Sequence, residues 1–331
     1  METHMKKIIS GFVLGLIVQV SALAQPTPEK LVIKSHTPQD FADIISGRYR
    51  QMPVDIHGFL AIPAGSGKFP AVVIGPGSGG YKPWMQDMVA RRLNDAGIAT
   101  LVLDSFTGRG VTETATNQGN VPTAAGVIDG FAALKALASR SEIDVNRLGI
   151  TGFSRGGTVA MFTNEKKLMQ AMELQGLQYA AHLPMYPACS TTFDKPDPTT
   201  APMWILMGEK DDYTPASQCL PFIERLRTAG SNVKSKIFPD AHHGWVSDAR
   251  QVTYQPRVQV FSKCDGRIDD TGVIRELSSG ATTSEGWTAF VTKVWKSCGK
   301  YGANYGVNET ARDEALKDMV QFFSDTLKLK P

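Results

Sequence analysis

The hexapeptide at 152–157 (Gly-Phe-Ser-Arg-Gly-Gly) constrains the fold of this chain more than any other segment. An apolar run at 147–151 precedes it, and a stretch with helical spacing at 158–162 follows it. Glycines flanking a serine in this context predict a sharp strand-to-helix turn, in which residues with side chains would clash. The Ser154 hydroxyl would then lie at a helix N-terminus, where the dipole favours developing negative charge. Ordinary glycine-rich turns also match this pattern, so the interpretation depends on the flanking strand and helix.

The alternation of apolar, β-rich runs with helical stretches predicts an α/β fold with a mostly parallel central sheet and helices on both faces. The first run alternates and ends at Pro63, which is typical of an antiparallel edge strand. We expect residues 40–330 to form a single domain, since 331 residues with 42% hydrophobic content suffice for one large core. The predicted strands are 55–62, 70–75, 98–104, 146–151, 181–186, 202–208 and 233–238, and the predicted helices are 83–96, 123–139, 155–172, 216–229 and 309–328.

A serine nucleophile needs a histidine base and an acid, and this type of fold supplies them in the order serine, acid, histidine. His182, His242 and His243 follow Ser154. The last two lie after the predicted strand 233–238, at the sheet edge where catalytic side chains collect. His182 is expected to have a structural role. We prefer His243 as the base, because the glycine after it leaves room for the ring; a metal site at the paired histidines would lack a nearby third ligand.

The acid is expected in the loop that follows the predicted strand 202–208. Asp211 can accept the second ring N–H of the histidine and hold its tautomer. Asp212 is the alternative, with N-capping of the helix near Pro215 as its ordinary role. Glu209 is a third candidate, but it lies too close to the strand end to reach across. Asp211 completes a serine, an aspartate and a histidine in the expected order.

An oxyanion hole requires two backbone donors. One is the N–H of Arg155, the residue after the serine. The glycine-rich loop at 75–80 follows an early strand, and we choose Ser78 as the second donor. A flexible surface turn is the ordinary alternative, although so many glycines before a helix are costly in entropy. Phosphate binding is disfavoured, because no Gly-Lys-Ser/Thr ending follows.

Six segments of the chain resemble the dienelactone hydrolase family of α/β-hydrolases, in a secreted branch with a serine nucleophile. They are 55–63, 75–80, 103–106, 152–157, 208–215 and 241–245. The resemblance implies a Ser154–His243–Asp211 triad and a compact hydrolase that acts on carboxylic esters or lactones. The founding enzymes use cysteine. Because serine needs a base within reach, a general ester hydrolase is a better expectation here than a dienelactone hydrolase.

The resemblance also places Arg109 where the family meets the acid end of its substrate, and a guanidinium there could bind a carboxylate with two hydrogen bonds. A solvated arginine is the ordinary alternative. Tyr81, Trp84 and Trp245 are candidates for the walls of the pocket, although buried aromatic side chains more often belong to the core. We expect no cofactor and no metal. Two rival functions stay open: a secreted serine peptidase of the prolyl-oligopeptidase type and a non-catalytic binding protein on a hydrolase scaffold.

Residues 1–24 have the pattern of a secretory signal peptide, with two lysines before an apolar stretch and Ala-Leu-Ala at its end. Residues 1–4 precede Met5 and are either an alternative start or not native. We expect 25–39 to be a loose arm. The apolar stretch is too short to span a membrane, so the mature protein should be secreted or periplasmic without a membrane anchor. A net charge of +3 and the lack of a basic stripe argue against nucleic-acid binding.

Four cysteines in an exported chain predict two disulfides. Three pairings are conceivable, and we favour Cys189 with Cys219 and Cys264 with Cys298. The second pair would staple residues 250–300, a polar, glycine-rich and weakly periodic excursion. This excursion is either a surface decoration or a flap at the rim of the pocket.

Overall fold

A computed structural model describes residues 27–328, so the predicted signal peptide lies outside the described residues. The strands are β1 Glu29–His36, β2 Pro53–Ala61, β3 Phe69–Gly75, β4 Ala99–Asp104, β5 Ile143–Phe153, β6 Ala181–Met185, β7 Thr191–Phe193, β8 Met203–Gly208, β9 Val233–Phe238, β10 Thr253–Val260, β11 Gly266–Ile268, β12 Ile274–Glu276 and β13 Lys300–Tyr305. The α-helices are α1 Phe41–Ile45, α2 Arg91–Asp95, α3 Thr123–Ala138, α4 Arg155–Phe162, α5 Lys166–Ala171, α6 Ala216–Thr228, α7 Trp287–Cys298 and α8 Glu309–Thr326. A π-helix, Met85–Ala90, leads into α2.

The central sheet has eight strands in the order β1-β2-β4-β3-β5-β6-β8-β9. From β4 to β9 in this order, neighbouring strands pair in parallel. Strand β2 pairs antiparallel with both of its neighbours, β1 and β4. Helices α3, α4 and α6 pack on one face, and the π-helix, α2 and α8 pack on the other. Residues of β3 alternate between the two cores, with Val73 on one side and Val72 and Ile74 on the other. The predicted α/β architecture is confirmed.

The N-terminal region differs from the sequence prediction. Strand β1 pairs with β2 along its whole length, so a loose arm is wrong for Glu29–His36. The edge of the sheet is therefore β1, and the run predicted at 55–62 is the second strand. Ile33 and Ser35 point to the interior while their neighbours in sequence are exposed, which is the period-two pattern of a half-buried strand.

The helix predicted at 155–172 is two helices, α4 and α5. Glu165 interrupts it, because its backbone is extended and pairs in a β-bridge with Pro198. A bridge of this kind uses the backbone groups that a continuous helix would need.

The excursion is structured and runs over residues 253–305. Strand β10 pairs antiparallel with β13, and β11 joins β12 to β7. Disulfides connect Cys264 with Cys298, with 5.2 Å between their Cα atoms, and Cys189 with Cys219, with 5.0 Å. These are the pairings that the sequence favoured. Two disulfides are compatible with an oxidising compartment.

Candidate active site

Ser154 occupies a strained turn between β5 and α4. Its backbone has φ 55° and ψ −114°, which side chains rarely adopt, and its N–H donates to the Met185 carbonyl at 2.9 Å. A Cβ added to Gly152 would lie 2.5 Å from the Gly156 carbonyl carbon, and one added to Gly156 would lie 2.2 Å from the Gly75 oxygen. The glycines are therefore required by close backbone approach, as the motif predicted.

The structure brings His243 and Asp211 together. The Nδ1 atom of His243 lies 2.8 Å from Oδ2 of Asp211, and both residues are less than 5% exposed. An ionised carboxylate only accepts hydrogen bonds, so Nδ1 carries the proton and the Nε2 atom is left as the basic nitrogen. Its neighbour His242 makes no such contact, and its Nδ1 has no partner within residues 27–328.

The loop after β8 holds Asp211 rigidly. The carboxylate accepts hydrogen bonds from the backbone N–H groups of Tyr213 and Thr214, at 2.9 and 2.8 Å. The Thr214 hydroxyl lies 3.0 Å from the His243 Nδ1 and 3.1 Å from the Tyr186 carbonyl oxygen. Thr214 was not predicted as a site residue, although it lies three residues after Asp211 in the same loop.

Asp212 does not cap α6, so that expected role is wrong. The helix begins after Pro215 without a side-chain cap. Both oxygens of Asp212 instead accept hydrogen bonds from Asn304, from its backbone N–H at 2.9 Å and its amide at 2.8 Å. Asp212 therefore ties the acid loop to β13 of the excursion, while Glu209 accepts from the Asp240 N–H at 3.0 Å.

The glycine-rich loop lies directly against the serine turn. A Cβ on Gly77 would be 3.6 Å from the Ser154 Cβ and 3.3 Å from the Phe153 oxygen. Ser78 is therefore beside the nucleophile candidate, and it is only 7% exposed. Arg155 is the first residue of α4, where backbone N–H groups lack acceptors inside the helix. Both expected oxyanion donors thus belong to the immediate surroundings of Ser154.

Gln118 links these parts, and sequence reasoning missed it. Its side-chain oxygen accepts from the Ser78 hydroxyl at 3.0 Å and from the Arg155 guanidinium at 2.6 Å. Its amide nitrogen donates to the Tyr213 hydroxyl at 2.9 Å, and its backbone N–H donates to the Gln259 side chain at 2.9 Å. One residue on the 3₁₀ turn Gln118–Asn120 thus connects the oxyanion loop, the serine turn, the acid loop and the excursion. No local motif marks such a residue.

Two cavities meet at Ser154. Ser78, Ser154 and Tyr213 line both of them. Cavity A covers about 1180 Å³, open solvent at its mouth included, and is lined further by Phe261, Trp287, Phe290, Val291 and Val294 of the excursion. Cavity B covers about 960 Å³ on the same measure and is lined further by His243, Trp84, Tyr186, Val258 and Tyr305. Ser154 and His243 therefore border space that a small molecule can enter.

The sequence model of the dienelactone hydrolase family matches residues 56–262, which is more than half of the chain. The chain belongs to this family. A Bradyrhizobium protein provisionally named as a 2-oxo-3-(5-oxofuran-2-ylidene)propanoate lactonase is 25% identical over 207 residues, covering 60% of this chain and 82% of that protein. A Methylorubrum extorquens protein provisionally named as a carboxymethylenebutenolidase is 27% identical over 231 residues, covering 65% of this chain and 75% of that protein.

Solved structures of similar proteins show the same fold. A dienelactone hydrolase-like promiscuous phosphotriesterase from metagenomic libraries matches with a TM-score of 0.56 and 16% identity, over 91% of this chain and 99% of that one. A Klebsiella pneumoniae protein provisionally named as a dienelactone hydrolase matches with a TM-score of 0.54 and 15% identity, over 89% and 99%. As a dienelactone hydrolase family member, the chain is an enzyme that hydrolyses carboxylic esters or lactones, with a small molecule as substrate.

Arg109 does not meet the substrate in this family member, so its predicted role is wrong. Its side chain is 5% exposed and forms an ion pair with Asp129 at 2.8 Å. The remaining donors are bound to the Thr37 hydroxyl and to the carbonyl oxygens of His36 and Ser105. All five guanidinium N–H groups are thus used within the fold, and none is left for a ligand carboxylate.

Of the three aromatic candidates, Trp84 lines cavity B, whereas Tyr81 and Trp245 line neither cavity. Tyr81 stacks on Phe59, with ring centroids 4.6 Å apart. Trp245 is fully buried and packs edge-on against Tyr186 at 4.5 Å, so it supports the ring that contacts His243. Predicting these two as walls of the two cavities was wrong, because both rings pack against other side chains instead.

His182 is a structural residue. Its ring is buried on β6, burial lowers its pKa to about 4, and Nδ1 lies 2.9 Å from the Ala160 carbonyl oxygen. Within the described part of the chain, no group of three or more His, Cys, Asp or Glu side chains is arranged to hold a metal ion. No helix among residues 27–328 is long and apolar enough to cross a membrane.

Proposed function

We propose that this enzyme hydrolyses carboxylic esters or lactones through an acyl-enzyme on Ser154, with His243 as the base and Asp211 as the acid. The observation that carries the proposal is the buried 2.8 Å contact between Asp211 and His243, beside a cavity that His243 shares with Ser154. An imidazole held in this tautomer can take the serine proton. Ser154, in its strained turn, lines the same cavity, which supports this assignment.

The reaction follows from these positions. His243 removes the Ser154 proton while the hydroxyl oxygen attacks the carbonyl carbon, and the backbone N–H groups of Ser78 and Arg155 stabilise the negative oxygen. The imidazolium then returns the proton to the departing alcohol as the bond between the carbonyl carbon and the alcohol oxygen breaks. A water molecule, activated by His243, cleaves the acyl-enzyme and releases the acid.

Export belongs to the same proposal. The signal peptide at 1–24 lies outside the described residues, and the two disulfides support a secreted or periplasmic location. N-terminal sequencing of the protein purified from culture medium or periplasm should start at about residue 25. Recovery of the full chain in the cytoplasm would contradict export.

A fluorophosphonate probe tests the triad, because it labels only a serine activated by a base. We expect Ser154 to be labelled, and Ser154→Ala to lose labelling and several orders of magnitude of esterase activity with an unchanged fold. Ser139→Ala is the matched control, since Ser139 is an exposed residue after α3. Hydrolysis of peptide substrates in preference to esters would favour a serine peptidase, and an unlabelled, inactive protein would favour a binding protein.

A further inference from the structure

The two cavities differ in their relation to the base. Among the described residues that line them, His243 borders cavity B and does not border cavity A. Of the two cavities, Arg155 borders cavity A alone, whereas Ser78 and Ser154 border both. The imidazole that takes the serine proton must also donate it to the leaving alcohol. The alcohol part of an ester must therefore lie on the His243 side, in cavity B.

Of these two cavities, cavity A is then left for the acyl part. From these positions we propose that cavity A binds the acyl group, that cavity B binds the leaving alcohol, and that the substrates are esters with a bulky apolar acyl group. The inference rests on the proposed function. According to this inference, the excursion determines which acyl groups the enzyme accepts.

The walls of cavity A support an apolar ligand. The excursion contributes Phe261 together with Trp287, Phe290, Val291 and Val294, and the last four follow the i, i+3, i+4, i+7 spacing of one face of α7. The Trp287 indole N–H donates to the Gly119 carbonyl at 3.0 Å, so the most polar atom of this wall is already bound. What remains on this side of the cavity is hydrocarbon and aromatic surface, which favours an aromatic or aliphatic acyl group.

The charged residues around cavity A are engaged within the protein. The terminal nitrogens of Arg155 donate to carbonyl oxygens of Val121 and Gln118, at 2.7 and 3.0 Å. Glu276 accepts hydrogen bonds from both Ser278 and Ser279, which lower its pKa to about 2 against the effect of burial. Asp40 accepts from the Asp43 N–H at the start of α1. The acidic groups of cavity A are thus bound within the protein, while Arg155 is held by neutral oxygens and its buried Nε has no partner among residues 27–328. A carboxylate that faces the excursion wall would lose its hydration against apolar side chains, which is costly.

Two half-buried valines of the excursion provide a matched test. Val291 lines cavity A and Val258 lines cavity B. Val291→Trp should fill part of the acyl site and lower the ratio of kcat/KM for p-nitrophenyl octanoate or benzoate over p-nitrophenyl acetate, by roughly tenfold or more. Val258→Trp should keep that ratio and instead lower kcat/KM for bulky alcohols relative to small ones in a series of butyrate esters.

Pre-steady-state kinetics separate the two sites further. Both ester series pass through an acyl-enzyme, and esters that share an acyl group share one deacylation step. Val291→Trp should change the deacylation rate constant for the octanoyl-enzyme, whereas Val258→Trp should not. Equal melting temperatures of both variants and the parent would exclude misfolding as the cause.

The outcomes distinguish this inference from the proposed function. If the fluorophosphonate probe does not label Ser154 in the parent protein, the triad itself is refuted. With the triad intact, the reverse pattern, in which Val291→Trp changes alcohol preference, would overturn the assignment of the cavities. An unchanged octanoate-to-acetate ratio in Val291→Trp would equally overturn it, and a preference of the parent for acyl groups that carry a carboxylate would overturn the apolar substrate class.

Discussion

The catalytic edge of the sheet and the excursion are held in place by different means. At the catalytic edge, glycines pressed against neighbouring backbone fix the Ser154 turn, and buried hydrogen bonds fix Asp211 and His243. In the excursion, a disulfide and the two-stranded ribbon of β10 and β13 hold a segment in which one residue of β10 is buried. The difference indicates that the sheet positions the side chains proposed for catalysis, whereas the excursion shapes the cavities beside them.

Asp211→Asn should have the largest effect. An amide favours the wrong histidine tautomer, so kcat/KM for an aryl ester should fall by roughly a thousandfold to ten-thousandfold, with little change in melting temperature. Asp212→Asn is the matched control from the neighbouring position, where the carboxylate only binds Asn304 of the excursion. A similar loss of activity in both variants would contradict the assignment of Asp211 as the acid.

Removing the Cys264–Cys298 disulfide tests how far the stability of the protein and the shape of cavity A depend on this cross-link. Cross-linking two residues 34 positions apart constrains the unfolded chain, so replacing both cysteines with serine should cost roughly 2–4 kcal/mol of stability. Cys264 and Val294 both line cavity A, so the octanoate-to-acetate ratio of kcat/KM should change as well. Calorimetry and the ester series measure the two effects.

The Cys189–Cys219 pair is the control for that experiment. It joins the segment before β7 to α6, outside the excursion. Its removal should lower the melting temperature. The octanoate-to-acetate ratio of kcat/KM should change less than it does when Cys264 and Cys298 are replaced. If removing either disulfide changes the octanoate-to-acetate ratio equally, the excursion has no separate influence on substrate preference.

Gly244→Ala tests the contact between the two regions. Gly244 has φ +76°, and an added Cβ would lie 2.2 Å from the Tyr305 ring of β13. Gly230 has a similar φ of +86°, with nothing within 4 Å of an added Cβ. Both variants should lose about 1 kcal/mol from backbone strain. The clash should cost Gly244→Ala a further 1–3 kcal/mol, roughly, in chemical denaturation. Equal losses would mean that Tyr305 moves aside freely.

The sequence predicted the catalytic edge better than the rest, for a physical reason. Ser154, Asp211 and His243 each follow a strand that the sequence predicts, so local spacing alone places them at one edge of the sheet. Gln118 and Arg109 depend instead on contacts between distant segments. Arg109 is an isolated cation in sequence, and only the fold shows that Asp129 neutralises it. Long-range pairing of this kind leaves no periodic or spacing signal.

The N-terminal strand shows a second limit. The alternating burial of Glu29–His36 is not visible in the sequence, because Leu31, Val32 and Ile33 are consecutive apolar residues and the middle one is exposed. The excursion was harder still, because strands of three residues such as β11 and β12 are too short to give a pattern. Edge and insertion elements are thus predicted less well than central strands, whose buried runs are continuous.

Two buried glutamates, one beside the central sheet and one in the excursion, should respond to pH in opposite directions. Burial raises the pKa of Glu165, between α4 and α5, to about 7 from an ordinary value of 4.5. In the excursion, hydrogen bonds from Ser279 and Ser278 outweigh burial and lower the pKa of Glu276 to about 2. Glu165 therefore contributes stability below its unfolded pKa and loses it as pH rises through 7. Glu276 contributes stability above its unfolded pKa and loses it as pH falls towards 2.

The glutamine variants test these signs, because an amide does not ionise. Glu165→Gln should gain in melting temperature relative to the parent between about pH 5 and about pH 8.5, since only the parent must ionise a buried group. Glu276→Gln should be less stable than the parent at about pH 7, and the gap should narrow at about pH 3. Thermal unfolding across this range measures both. Parallel curves for either variant and the parent would show that the glutamate concerned is not coupled to folding.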